Sequence, residues 1–154
     1  MTQITEQSNH PQSSEEKSTP EKFYYSQRKD WEQKINSMAN AQRDIMNFAN
    51  VQVDLYSNRH LAIDQMHSLM NLHLKINEKY KIARGEARKK FEAGDLKVKD
   101  INEQVDASTA PLKTSLDQIS NQIEFFKEMV KNVDAMLYGI KYRLEFEGSY
   151  RRAS

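Results

Sequence analysis

Apolar residues along this chain keep a helical spacing over long stretches, and the places where that spacing fails mark the boundaries of its elements. From Leu112 to Leu144 the steps alternate between four and three: Leu112, Leu116, Ile119, Ile123, Phe126, Val130, Val133, Leu137, Ile140 and Leu144. No polar residue interrupts the series. It is a heptad seam, which needs a helical partner along its whole length. A weaker stripe of Phe125, Met129, Met136 and Phe146 flanks it and widens the apolar face beyond a two-helix seam.

Upstream, neither Gly nor Pro occurs between Glu21 and Arg84, so nothing instructs a helix to stop. Trp31, Ile35, Met38, Ile45, Phe48, Leu55, Ala62, Met66, Leu69, Ile76 and Tyr80 recur at helical spacing, and the stretch predicts one long helix. A kink near Ser57-Asn58 has no support in the pattern. "STPEK" supplies the start: Ser18 or Thr19 as N-cap, Pro20 in the first turn and Glu21 near the positive end of the helix dipole. The period fails in "GEARKKFEAGDLKVKD", which places the helix end between Gly85 and Gly94. A short helical turn is expected over Val98–Val105, and "DASTAP" predicts a new start with Thr109 as N-cap and Pro111 in the first turn.

These elements give an all-α chain: a long antiparallel helical hairpin, coiled-coil-like, that oligomerises. Back-folding onto the first helix covers one apolar stripe of the last helix, and neighbouring subunits are expected to cover the other. Ile119, Ile123, Phe126, Val130, Val133, Leu137, Ile140 and Leu144 are the candidate oligomerisation residues. Gln52, Arg59 and His73 share the seam of the first helix. They either fix its register or sit at its edge and reach water. Residues 1–17 lack any apolar period and are expected to form a disordered polar tail. The helical domain spans 18–148, and 149–154 form a short basic tail.

Composition narrows the function more by exclusion than by assignment. The 154 residues contain no Cys, which removes disulfides, thiol chemistry and Cys-ligated metal. The N-terminus lacks the basic and apolar segments of a secretory signal. No apolar run approaches the roughly 20 residues that span a bilayer. A cytoplasmic protein without membrane contact is expected. Phosphate-cradling glycine loops, a serine elbow and a cysteine nucleophile are all missing, so neither an enzyme nor a cofactor is expected. Asp64-x-x-His67 has the spacing of half a carboxylate-bridged metal site, but such sites use the pair twice. A structural or surface role is the preferred reading, and no metal is assigned.

Charge changes the picture. The net +1 conceals blocks: −2 over residues 1–22, 0 over 23–78, +5 over 79–99, −4 over 100–137 and +2 over 138–154. The stretch "YKIARGEARKKF" alone holds five basic side chains. Lys81, Arg84 and Arg88 fall at i, i+3 and i+7 on one face, with Tyr80 and Phe91 bracketing them. Aromatic rings beside phosphate-binding charge suit single-stranded nucleic acid. Basic residues at a helix C-terminus also complement its dipole, so a solvated helix end is the plain alternative. A ring of hairpins would repeat the patch in every copy and convert weak contacts into avidity. Lys75, Lys79, Tyr80, Lys81, Arg84, Arg88, Lys89 and Lys90 are the candidate DNA-binding residues.

"YGIKYRLEFE" (residues 138–147) resembles the ending of the UvsY-type recombination mediators of large tailed phages, with Tyr138, Ile140, Lys141, Glu145 and Phe146 matching an aromatic-x-Ile-Lys motif and the acidic-aromatic pair after it. "LKINEKYKIARGEA" is similar to the family's basic, Tyr-containing helix end, and "VDASTAPLK" to its entry into the last helix. The likeness covers roughly residues 50–148 in order. Lys75 matches one basic DNA-binding position of the family, whereas Asn77 stands where a second is expected, with Lys79 and Lys81 beside it. The resemblance implies a non-enzymatic homo-oligomer that binds single-stranded DNA. It further implies help in loading a strand-exchange recombinase onto strands coated by single-strand-binding protein, in the cytoplasm of an infected host. A structural coiled-coil scaffold or tether without nucleic acid is the alternative, and the basic block discriminates the two.

Overall fold

A computed structural model describes residues 19–94 and 96–153. The expected 1–17 tail lies outside the described residues. Helix α1 (Pro20–Ala41) is followed by a short 3-10 turn (Ile45–Asn47), helix α2 (Phe48–Glu92) and helix α3 (Val98–Ala153). The chain is all-α among the described residues, and the long antiparallel hairpin is α2 against α3.

The start of α1 is as the sequence predicts. Thr19 is the N-cap, its hydroxyl oxygen accepting the backbone N–H of Lys22 at 3.5 Å, and Pro20 opens the first turn. Its end is not as predicted. The single helix expected from Glu21 to Arg84 is broken at residues 42–47, without Gly or Pro. Side chains make the break: Asp44 Oδ1 accepts the N–H of Met46 at 3.0 Å, and Asp44 Oδ2 accepts from Asn47 Nδ2 at 3.2 Å. Asp and Asn offer the backbone such alternatives to helical bonding. The chain therefore reverses, and α1 runs antiparallel to α2 and parallel to α3. Ser57 and Asn58 lie inside an uninterrupted α2.

A second correction concerns α3. The start expected at Thr109 and Pro111 does not exist, because one helix of 56 residues passes through both. Thr109 is buried and donates its hydroxyl to the Val105 carbonyl at 2.8 Å. Ile101 and Val105 are buried too, so the seam begins well before Leu112. Continuous packing against α2 outweighs the ~3 kcal/mol that a proline costs inside a helix. Pro111 and Ala107 both face solvent, where water can bond the carbonyl that the proline leaves without a donor. The expected basic tail is helical as far as Ala153. The turn between α2 and α3 does fall where the period fails, with the Ala93 and Gly94 N–H groups bonding back to Lys89 and Phe91.

Two apolar clusters form the core, and each draws on all three helices. Trp31, Ala62, Leu69, Ile119, Ile123, Phe126 and Met129 make the first. Met38, Phe48, Val51, Leu55, Val133 and Ile140 make the second. The Trp31 ring meets Phe126 edge-on, with centroids 5.7 Å apart. Helix α1 thus covers, within one chain, much of the flanking stripe that neighbouring subunits were expected to cover: Met129 is buried, and Phe125 and Met136 are half-buried. Of the candidate oligomerisation residues, Ile119, Ile123, Phe126, Val133 and Ile140 are buried, Val130 and Leu137 half-buried, and Leu144 exposed.

A polar layer that the sequence pattern did not signal orients α1. Fully buried Gln122 accepts from Arg28 Nε at 2.6 Å and donates to Gln27 Oε1 at 2.8 Å. Gln52, Arg59 and His73 prove to be seam-edge residues, half-exposed, with Arg59 Nε on Asp134 at 2.6 Å. At its start α1 is level with Gln118, where Glu21, Tyr24, Gln118 and Asn121 line a shared cleft. Beyond that level α2 and α3 continue as a two-helix stalk to the turn.

Candidate nucleic-acid interface

The basic block occupies the stalk. Along this part of α2, Ile76, Tyr80, Ala83, Ala87 and Phe91 are half-buried at helical spacing and form the side turned to α3. At ~100° per residue, Lys75, Lys79, Lys89 and Lys90 fall in a sector about 100° wide on one flank of the helix, beside the face turned to α3. All four are exposed, and none forms an ion pair among the described residues. Exposed Ile82 and Glu86 lie in the same sector. From Lys75 to Lys90 the row covers about 22 Å of helix axis.

The i, i+3, i+7 trio is arranged differently. Arg84 Nη1 contacts Asp106 Oδ1 of α3 at 2.8 Å and donates to the Tyr80 hydroxyl at 2.8 Å. The Tyr80 hydrogen bond first, and then the Asp106 charge, raise the pKa of the guanidinium above its ordinary value. Arg88 Nε pairs with Glu92 at 2.8 Å. Only Lys81 of the trio stays exposed and unpaired among the described residues. Two of the three charges that share a face in sequence are therefore already matched by carboxylates.

The aromatic brackets also face inward. Tyr80 is half-buried, and its hydroxyl is engaged by Arg84; half-buried Phe91 has the Lys90 ammonium 6.0 Å from its ring centre. Neither presents a free ring face beside the lysine row. The stalk rings are thus half-buried and already met by cations of their own helix, an arrangement the sequence could not give because it depends on where α3 lies.

No protein-family model, no curated protein and no solved structure matches this chain.

The residues that carry the family resemblance are divided between core and surface. Ile140 is buried in the second cluster, while Tyr138, Lys141, Glu145 and Phe146 are exposed along the same helix. Among the described residues no group of three or more His, Asp or Glu side chains is placed to hold a metal ion, and Asp64 and His67 remain a lone pair on α2. Among the described residues, no helix is long and apolar enough to cross a membrane.

Proposed function

We propose that this protein is a non-enzymatic, self-associating single-stranded-DNA-binding protein that acts as a recombination mediator. The observation that carries the reading is the row of Lys75, Lys79, Lys89 and Lys90, exposed along one flank of the stalk without carboxylate partners among the described residues. Such a row grips backbone phosphates by displacing counterions and reads no base, which suits a protein that meets any sequence. Copies associate through what the seam leaves uncovered, Val130, Leu137 and Leu144, and repetition of the row gives avidity. The partners, a strand-exchange recombinase and a single-strand-binding protein, enter by the resemblance alone. A strand held across several copies would loosen the hold of the coating protein.

The test is polarisation of labelled oligo-dT across a salt series, with wild type beside a Lys75/Lys79/Lys89/Lys90→Ala variant. Wild type should bind, and the variant should bind every single-stranded sequence more weakly, to about the same extent. Its salt slope should be shallower by about 0.7 for each phosphate that is no longer neutralised. The pairing of Arg84 and Arg88 within the chain favours a second reading, a structural coiled coil whose basic residues only solubilise the stalk. Equal binding by the two proteins supports that reading instead.

A further inference from the structure

We propose that the end of α3 carries a second contact surface for single-stranded nucleic acid, built from aromatic rings and lying at the opposite end of the hairpin from the lysine row. The proposal rests on the strand-binding reading above. Tyr138, Tyr142, Phe146 and Tyr150 recur every fourth residue and are 58%, 55%, 73% and 72% exposed. Each step advances about 6 Å and turns about 40°, so the rings climb one side of the helix as a shallow spiral. That side is roughly opposite the one carrying Ile140 and Leu144. The ladder is therefore distinct from the seam, and packing of the hairpin does not explain it.

Large rings this exposed are uncommon on a face that meets only water. The chemistry around them favours a polyanion over an apolar protein partner. Residues 138–154 carry net +2. Lys141 pairs with Glu145 at 3.9 Å and Arg143 is held against the Gln42 carbonyl and the Phe48 ring, so the charge open to a strand is that of Arg151 and Arg152, directly after the last ring. Phe146, Tyr150, Glu147 and Arg151 line an open notch of ≈ 240 Å³, smaller than the usual small-molecule pocket. At the lower rungs Tyr138 and Tyr142 are locked edge to face, with centroids 4.6 Å apart and hydroxyls 2.9 Å apart. They present one rigid aromatic corner. Exposed aromatic rings beside basic side chains are the sequence-tolerant half of single-strand recognition, and at the stalk the rings are half-buried instead.

The experiment uses the full chain and labelled oligo-dT, comparing wild type with Tyr142→Ala/Phe146→Ala, with Phe146→Trp, and with the four-lysine variant. Mass by light scattering and helicity by circular dichroism are read on the same samples. Expected results for the double ring variant are unchanged helicity and mass, affinity lower by at least about fivefold, and an unchanged salt slope, because stacking releases no counterions. Phe146→Trp should retain binding. Wild-type affinity in the double variant overturns the proposal. So does a loss of affinity that accompanies dissociation, which would make the ladder a contact between copies. If the lysine variant weakens while the ring variant does not, the ladder proposal alone falls. Should wild type fail to bind at all, both readings fall together.

Discussion

The Trp31 indole N–H donates to Gln65 Oε1 at 2.9 Å, tying α1 to α2 at the point where the tryptophan ring also packs edge-on against Phe126 of α3. One side chain thereby touches all three helices. Trp31→Ala should cost about 3–5 kcal/mol in chemical denaturation, as large buried aromatics do. Gln65→Ala keeps the ring but strands its N–H, and should cost about 1–3 kcal/mol. Equal stability of Trp31→Ala and wild type would mean that α1 does not dock.

Pro111→Ala should stabilise the protein, by up to about 3 kcal/mol, because the proline sits on the exposed side inside a continuous helix. The measurement is the urea midpoint at unchanged m-value. A fall in the midpoint would argue for the helix start that the local sequence alone predicts.

Freeing Arg84 should strengthen strand binding. Asp106→Asn removes the carboxylate 2.8 Å from its guanidinium, and the pair is solvent-exposed, so stability should move by less than about 1 kcal/mol. Affinity for oligo-dT should rise, and the salt slope should steepen by up to about 0.7. If binding is unaltered, the row of phosphate contacts does not extend to the Arg84 side of the stalk.

Self-association is best probed at Leu144 rather than in the middle of the seam. Val133 is fully buried by helices of its own chain, so Val133→Asp should unfold the protein whatever its oligomeric state. Leu144 is 48% exposed and lies outside both clusters. Leu144→Asp should leave helicity intact while lowering the mass seen by light scattering. A folded wild-type monomer at micromolar concentration would remove self-association from the proposed function.

Long-range periodicity was the most legible part of the sequence. The seam from Leu112 to Ile140, the long hairpin and the turn between Gly85 and Gly94 all follow from residue spacing. Local signals misled where packing overrode them. Thr109 and Pro111 look like a helix start, yet Ile101, Val105 and Thr109 extend the seam and carry the helix straight through. Conversely, the break at residues 42–47 has no Gly or Pro, and depends on Asp44 bonding its neighbours. At the candidate interface, spacing put Lys81, Arg84 and Arg88 together on one face. It could not show that Asp106, 22 positions from Arg84 and on another helix, would claim one of them.

The way α1 stops short of the stalk has a dynamic consequence. Where three helices meet, every backbone amide near the core is shielded by two neighbouring helices; in the stalk each helix has one. Opening from the turn exposes less apolar surface than opening from the bundle, so amide hydrogens of residues 80–92 and 98–108 should exchange with solvent ahead of those around Leu55, Phe126 and Val133. A strand lying on the lysine row would then hold the part of the molecule that frays most easily. Binding there should slow exchange in both stalk helices, including α3 residues the strand never touches.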